Sequence, residues 1–449
     1  MTSLKKLFLA CTLIFSCSNL FAQSEQLKIA GKWHIREVLY LNDSQGFGIA
    51  EYTPTKNSII SINNQAGVLW ENRFEEHIYG FSKFNGNILA FYKKSDEVHM
   101  ASLDVQSGKT ISDKIIYEGD KHKIVTVQND MDGNFENLLA RAITNPYSSV
   151  ETKGLKLITL AADGNPIVKD VPTVALEGAF VSSCKTKDGH IMLASIANNA
   201  LIIEQFTKEA VLKNKLEKPL NLRKKLHYKG IMQTDAFAGN TVVVSLKYEN
   251  PDKDDVFSYF TFNFDTKKIL SSDEAPLNKE SSYKFKNRES LEPEGIYITN
   301  DKIVMVKEVN YLHQSAGPNV IFRYISEAAV VSIYDKKLKL LNEVVFEKEN
   351  EVFSNSPVGI AGRVTIDKLQ LISADYGNKN PDGDYCYTID LNTGKYVRKK
   401  LGVAKDHSTQ PVSSHSTFWF KNECIVSRLS GNYNMYTNRL EKVDYTTLN

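Results

Sequence analysis

The sequence has few cysteines and, after its first residues, no long apolar run. Of its five cysteines, only Cys184, Cys386 and Cys424 follow residue 22. An odd and sparse set does not form a disulfide framework. Each of the three lies in an apolar, strand-like stretch, which predicts a small buried side chain, although a bridge between two of them stays open. No stretch of the mature chain approaches the ~20 apolar residues that a membrane-spanning helix needs.

Short catalytic motifs are also absent. The sequence contains no G-x-S-x-G nucleophile elbow, no P-loop and no H-E-x-x-H pair. These absences remove only the simplest enzyme assignments, because a site assembled from distant strands leaves no local motif.

The first 22 residues are typical of an export signal. Lys5 and Lys6 precede an apolar run over residues 7–15, and Ala22 supplies a small residue for cleavage. We therefore predict a signal peptide over residues 1–22 and a single mature domain over 23–449, in the periplasm or at the cell surface. The alternative is a lipid anchor at Cys17, in "LIFSCSN".

Removal of this leader makes the chain electrically neutral. The whole sequence has 55 Lys and Arg against 53 Asp and Glu, and the leader carries Lys5 and Lys6 but no acid. The mature chain then has 53 of each sign. A neutral exported protein is a poor candidate for binding nucleic acid.

A sequence pattern that predicts four short strands, here called the four-strand phrase, recurs along the mature chain. Two similar hairpins, "MASLDVQSGKTI" and "YTIDLNTGKY", lie far apart, and "NGN" at 85–87 predicts a tight turn between two strands. Clear copies of the phrase cover residues 78–116, 180–216, 235–271, 295–347 and 364–401, with weaker copies at 33–74, 122–171 and 415–446. Units of this length with four strands each predict an all-β fold, a β-propeller.

We predict eight blades, with an N-terminal strand completing the last. Seven blades are the alternative, in which the first and last fragments merge, and a pair of β-sandwiches is the rival fold. The stretch "NFENLLARAI", residues 134–143, reads as one short helix. In several copies an Asp ends the third strand, at Asp104, Asp265, Asp335 and Asp390. Such a carboxylate is expected to bind the backbone of its own turn.

The leader and the strand phrasing together resemble exported β-propeller proteins of Bacteroidetes-type bacteria, many of them uncharacterised. The resemblance covers the whole mature chain. It includes neither the "GH…WD" nor the "SPDG" phrase of better-known propeller families, so it assigns no functional residues.

Glu292 and Glu294, in "SLEPEGIYITND", are the main candidate site residues. In an extended segment, residues two apart point the same way and lie ~6 to 7 Å apart. Two carboxylates at a channel mouth predict a site for Ca²⁺ or Mg²⁺, or an acid and base pair. The alternative is a solvated loop before a strand.

Three further residues are weaker candidates. Asp382 and Asp384 lie in "DYGNKNPDGDY", where oxygen ligands at alternate positions resemble a calcium loop, although no bidentate Glu follows. His313 lies in a predicted insertion of the sixth unit. A further stretch, residues 208–230, is rich in Lys and Arg and is typical of an exposed outer strand, or of a surface for an acidic partner.

The sequence thus leaves two functional hypotheses. The first is a non-catalytic propeller that binds a protein, peptide or glycan through loops on one face, with no resident cofactor. The alternative is a metal-assisted propeller hydrolase or lyase that uses Glu292, Glu294 and His313.

Overall fold

Short antiparallel strands follow one another along the chain, and successive strands pair with each other. A computed structural model describes residues 34–53, 56–119, 123–130, 132–143, 152–171, 181–221, 229–250, 253–273, 291–314, 322–352, 360–377, 380–400, 412–420, 423–430 and 437–444. Within these ranges the strands form eight antiparallel units, here called blades 1 to 8. A single parallel bridge between Asn350 and Tyr376 joins blade 6 to blade 7.

The first four blades have four strands each. Blade 1 contains β1 (His34–Asn42), β2 (Gln45–Thr53), β3 (Lys56–Asn63) and β4 (Val68–Phe74). Blade 2 contains β5 (Ile78–Phe84), β6 (Asn87–Lys94), β7 (Glu97–Asp104) and β8 (Thr110–Tyr117). Blade 3 contains β9 (Lys123–Asn129), β10 (Phe135–Ile143), β11 (Thr152–Leu160) and β12 (Pro166–Asp170). Blade 4 contains β13 (Val181–Lys185), β14 (Ile191–Ala197), β15 (Ala200–Phe206) and β16 (Leu212–Pro219).

The remaining blades repeat this plan, with three described strands in the last. Blade 5 contains β17 (Lys229–Thr234), β18 (Thr241–Asn250), β19 (Lys253–Asn263) and β20 (Lys268–Asp273). Blade 6 contains β21 (Leu291–Ile298), β22 (Lys302–Gln314), β23 (Phe322–Asp335) and β24 (Leu340–Val352). Blade 7 contains β25 (Ile360–Val364), β26 (Lys368–Gly377), β27 (Asn380–Asp390) and β28 (Tyr396–Lys400). Blade 8 contains β29 (Val412–Trp419), β30 (Glu423–Ser430) and β31 (Thr437–Asp444).

Burial explains the composition of the strands in each blade. In blade 4 every residue of β14 and β15 is buried, whereas the outer strand β16 alternates between exposed and partly buried positions. The two middle strands are covered on both faces by neighbouring blades, so they consist mostly of apolar residues. Asn198 and Asn199 join them with φ angles of 52° and 56°, the left-handed pair that a tight hairpin turn requires.

The hydrophobic core lies between blades and closes the chain into a ring. Val243 and Tyr259 of blade 5, for example, pack with Met305 of blade 6. Ile35 of the first blade shares a cluster with Phe418 of the last. From blade 2 to blade 8 the first strands of successive blades also contact one another, and β29 of blade 8 contacts β1. These contacts confirm the predicted all-β propeller, and the eight described sheets fit eight blades.

The detailed sequence predictions have mixed outcomes. The "NGN" turn is confirmed, because Asn85 and Gly86 join β5 to β6 with positive φ angles. The short helix at 134–143 is wrong: Phe135–Ile143 forms strand β10, whose Leu138 and Leu139 are both buried. A strand covered on both faces carries apolar residues without alternation, which imitates a helical pattern. The signal peptide, Cys17 and the N-terminal strand expected in blade 8 lie outside the described residues.

The prediction for the aspartates at the third-strand ends holds for three of the four residues. Asp104, Asp335 and Asp390 accept hydrogen bonds from backbone N–H groups of their own turns, as predicted. Asp265 does not, because its carboxylate accepts from the backbone N and side-chain Nδ2 of Asn240 in another turn. Cys184, Cys386 and Cys424 are buried and are not joined in a disulfide bond. Burial raises the pKa of the Cys386 thiol to about 11.

Strand direction gives the ring two distinct faces. Since neighbouring strands are antiparallel, each first strand begins at the end of the blade that carries the hairpin between the second and third strands. We call this end the mouth face. The hairpins between the first and second strands, and between the third and fourth, lie on the opposite, latch face. No helix within the described ranges is long and apolar enough to cross a membrane.

Candidate functional site

The latch face is held together by polar contacts between consecutive blades. Asp235, which is almost fully buried in blade 5, pairs with Lys336 Nζ of blade 6 at 2.7 Å. Lys302 Nζ of blade 6 donates to Asn392 Oδ1 of blade 7 at 2.8 Å. Similar contacts join Gln45 to Val105, Asn85 to Ala162, Asp188 to Asn240, and Arg363 to Phe420. Polar contacts at six positions on this face therefore connect consecutive blades.

The mouth face differs because three consecutive blades extend beyond their first strands. In blade 6, Leu291 of β21 pairs with Val309, and β22 continues to Gln314. In blade 5, β18 continues past Lys247 to Asn250, and in blade 7, β26 continues past Ser373 to Gly377. Blades 5 to 7 therefore present long second-to-third hairpins on one side of the mouth.

Glu292 lies at the base of these hairpins, near the start of the inner strand β21. Its Oε2 atom lies 2.8 Å from Lys229 Nζ and its Oε1 atom lies 3.7 Å from Lys247 Nζ. Both lysines belong to blade 5, so the carboxylate bridges blades 5 and 6. Lys229 is 61% exposed, Lys247 9% and Glu292 17%. The group is therefore open to solvent on the Lys229 side.

Glu294 has different partners, because β21 bulges between Pro293 and Gly295. Asn310 Nδ2 donates to Glu294 Oε1 at 3.0 Å and to Glu308 Oε2 at 2.9 Å. Glu308 is fully buried and also accepts from the Ser326 hydroxyl at 2.7 Å. A bulge inserts one residue and interrupts the alternation of side chains, and Pro is tolerated at such a position.

A third lysine lies in the same interface between blades 5 and 6. Lys307 is fully buried, with its Nζ atom 5.3 Å from the centre of the Phe257 ring and 5.7 Å from that of Tyr259. Attraction between a cation and an aromatic face stabilises such an ammonium group. Lys229, Lys247 and Lys307 thus place three positive charges in the same region as the carboxylates of Glu292, Glu294 and Glu308.

Tyr297 marks the other side of β21, towards blade 7. A Cβ atom on Gly362 of β25 would lie 2.1 Å from the Tyr297 hydroxyl, so only glycine fits at that position. Burial, and to a smaller extent the negative charge of Glu294, raise the pKa of the Tyr297 phenol above its ordinary value. The phenol therefore remains protonated at neutral pH.

The predicted site residues are placed as follows. Glu292 and Glu294 lie on an inner strand at the mouth, as expected, but the bulge gives them separate partners. The backbone of His313 lies in β22, opposite Arg323, within the extended hairpin of blade 6. Asp382 and Asp384 lie in β27, where Asp384 pairs with Ala374. Across the residues that the structure describes, no group of three or more His, Cys, Asp and Glu side chains is arranged to hold a metal ion.

Sequence reasoning missed Lys229, Lys247 and Glu308 as members of this site. A signal for Glu308 was available, because Lys307 and Glu308 interrupt the apolar stretch "IVMVKEV". Charged residues in a strand covered on both faces need specific partners. Nothing local in the sequence shows that Lys229 and Lys247 meet Glu292, since the contact forms between blades.

Comparison with known proteins supports the fold alone. No protein-family model matches the chain, and no curated protein matches it in sequence. It is similar to the solved structure of Sqt1 from Saccharomyces cerevisiae at 9% identity, with a TM-score of 0.51, covering 92% of this chain and 100% of that one.

Two other similar structures are more distant. The β-propeller domain of the Trilobed protease from Pyrococcus furiosus is 11% identical, with a TM-score of 0.40, over 82% of this chain and 95% of that one. A quinoprotein alcohol dehydrogenase-like protein from Bacteroides thetaiotaomicron is 11% identical, with a TM-score of 0.39, over 73% and 70%. The β-propeller assignment rests on the blades described above.

Proposed function

We propose that this protein is an exported, non-catalytic binding propeller whose ligand contacts the mouth face of blades 5 to 7. The observation that carries the proposal is the set of extended hairpins that blades 5 to 7 present on the mouth face. They rise beside the partly exposed Lys229–Glu292–Lys247 group. Loops and projecting hairpins on a rigid scaffold are where binding surfaces concentrate.

Shortening one hairpin tests this proposal. Asn310 pairs with Ser326 in the β22–β23 ladder, so residues 311–325 can be replaced by Asn-Gly, which forms a two-residue turn. Peptides selected on the parent protein from a random library are the probe. We expect the shortened protein to keep its circular dichroism spectrum and its melting temperature within a few degrees, and to lose peptide binding.

A matched control lies on the opposite face. Ile366 is 91% exposed in a latch-face turn of blade 7, so Ile366→Asp should leave binding unchanged. Peptides that bind the shortened protein as well as the parent would contradict the proposal. A selection that returns no binder at all would also contradict it.

A metal-assisted reaction remains the alternative. The observation that favours it is the approach of two carboxylates, Glu294 and Glu308, to one amide group of Asn310. Such a pair offers oxygen atoms to a hard cation such as Ca²⁺ or Mg²⁺, and the divalent-cation test in the Discussion removes one member of it, Glu294.

A further inference from the structure

Two lysines face each other directly at the mouth of blade 5. Lys229 of β17 and Lys247 of β18 are partners in the antiparallel register, and Lys247 is in turn the partner of Phe257 on β19. Like charges directly opposite each other destabilise a sheet. An anion between the two lysines offsets this repulsion through charge-assisted hydrogen bonds.

Glu292 of the next blade supplies that anion in the present structure. One of its oxygens faces Lys229 and the other faces Lys247, at 2.8 and 3.7 Å. This is how two ammonium groups hold a planar carboxylate. Only the Lys229 contact is within hydrogen-bonding distance, since charge-assisted N–H···O bonds are about 2.7 to 2.9 Å long.

Two further features make the pair suited to an external anion. Lys307 places a further, fully buried positive charge beside the site, with its Nζ atom 5.3 Å from the centre of the Phe257 ring. Lys229 is largely exposed, so a ligand arriving from the mouth meets an accessible cation first. Partial burial of Lys247 and Glu292 reduces screening by salt relative to a surface pair.

We propose that Lys229 and Lys247 form a carboxylate-binding site that Glu292 occupies when no ligand is bound. The ligand is an acidic peptide segment whose Asp or Glu side chain displaces Glu292 from the two lysines. This inference rests on the proposed binding function of the mouth face and adds the chemical class of its ligand.

A peptide is favoured over an acidic sugar by the surroundings of the lysines. The two aromatic rings beside the site, Phe257 and Tyr259, are buried in the interface between blades and are 5% and 0% exposed. They offer no open ring face on which a sugar could stack. Extended strands of blades 5 and 6 rise next to the site, and a peptide can lie along such edges.

The test compares octaglutamate with octaglutamine by isothermal titration calorimetry on the whole mature protein. We expect octaglutamate to bind at 20 mM salt and octaglutamine not to bind. Glu292→Gln removes the internal competitor and should tighten octaglutamate binding about tenfold. Lys229→Gln should weaken it about tenfold, since one hydrogen bond to a charged group contributes about 1.5 to 3 kcal/mol.

Matched controls lie on blade 4, away from the site. Lys213→Gln on the outer strand β16 and Glu209→Gln in a latch-face turn should leave the affinity unchanged. Each variant is first checked for a parental circular dichroism spectrum. Because Lys229 is 61% exposed, we expect Lys229→Gln to leave the fold intact, so the proposal stays testable if Glu292→Gln destabilises the protein.

Three results would overturn the inference. These are no octaglutamate binding by either parent or Glu292→Gln, weaker binding by Glu292→Gln, and equal weakening by Lys229→Gln and Lys213→Gln. A preference for oligogalacturonate over octaglutamate would reject the peptide in favour of a sugar. Library peptides that bind the mouth without acidic residues would reject this inference and leave the proposed function standing.

Discussion

Lys229 lies directly opposite Lys247 in the β17–β18 ladder, and the two ammonium groups share the carboxylate of Glu292 from the neighbouring blade. A contact that is unfavourable within one blade is thus compensated by the next. The same residue that neutralises the lysines connects blade 5 to blade 6 at the mouth.

This arrangement predicts salt-dependent stability. Glu292→Gln should lower the free energy of unfolding by about 1 kcal/mol at low salt, between the values for exposed and buried pairs. The loss should shrink in 0.5 M NaCl, because salt screens the remaining repulsion between Lys229 and Lys247. Urea titrations at both salt concentrations measure it, and an equal loss at both would show that charge is not the cause.

Divalent cations give a test of the sequence-based metal prediction. If Glu292 and Glu294 hold Ca²⁺ or Mg²⁺, millimolar CaCl₂ or MgCl₂ should raise the melting temperature of the parent protein. The rise should disappear in the Glu292→Gln, Glu294→Gln double variant. Lys229 and Lys247 compete with a cation for Glu292, so we expect weak affinity. A melting temperature that does not respond to either salt contradicts the prediction.

Two partly buried carboxyls give the protein a specific pH dependence. Burial raises the pKa of Glu136 to about 8 and that of Glu37 to about 7, and the backbone N–H of Lys185 partly offsets the effect at Glu136. An unfolded Glu titrates near 4.3, so the folded protein binds these protons more tightly. Their contribution to stability is complete below pH ~4.3 and is lost as the pH rises through about 7 and 8.

Glu136→Gln isolates one of these groups. The parent protein should lose stability between pH 4 and 9, measured by urea unfolding, and the variant should lose less of it. A pKa change of 1 corresponds to about 1.4 kcal/mol, so we expect the two curves to converge at about pH 4 and to differ by at least about 1 kcal/mol at pH 9. Parallel curves would contradict the assignment.

The latch face yields a prediction about one buried ion pair. Asp235→Asn removes the negative partner of Lys336 and weakens the hydrogen bond from Phe237 N. Because Asp235 is buried and Lys336 is partly exposed, we expect a loss of about 2 kcal/mol. Asp104→Asn, which affects only an exposed turn, is the control and should cost less. Equal losses of unfolding free energy in the two variants would mean that the ion pair between blades 5 and 6 contributes nothing beyond the hydrogen bonds of the turn itself.

Ring closure is testable at one glycine. A Cβ atom on Gly46 of blade 1 would lie 2.9 Å from Phe418 Cδ1 of blade 8. Gly46→Val should therefore destabilise the protein by about 1 to 3 kcal/mol through overpacking. In the Phe418→Ala background the same substitution should be nearly neutral, because the phenyl ring that the new side chain would overlap has been removed. Additive losses in this double-mutant cycle would show that blades 1 and 8 are not in contact.

The fold was largely predictable from sequence because each blade is a local structure. Turn residues such as Asn85 and Gly86 and the recurring strand phrase carry their signal within a few dozen residues. The segment 134–143 was misread because β10 is buried on both faces and lacks the period of an exposed strand. Asp265 was misassigned because its partner, Asn240, comes from a different turn.

The candidate site was predictable only in part. Glu292 and Glu294 were identified from their position before a predicted strand. In the structure they lie in the inner strand β21, near its mouth-face end. Lys247 becomes a partner of Glu292 only when blades 5 and 6 pack together, and Asn310 becomes a partner of Glu294 only when the bulge at Pro293 sets the register. Neither event leaves a local pattern in the sequence.

Hydrogen–deuterium exchange of the mature protein, with and without a saturating selected peptide, tests the mouth face most directly. Ligand binding there should slow exchange in the mouth-face segments of blades 5 and 6, residues 244–250 and 305–314. Exchange in the latch-face turns around Asp235 and Ile366 should be unchanged. Slower exchange confined to the latch face or to the outer strands, with 244–250 and 305–314 unaffected, would contradict the account.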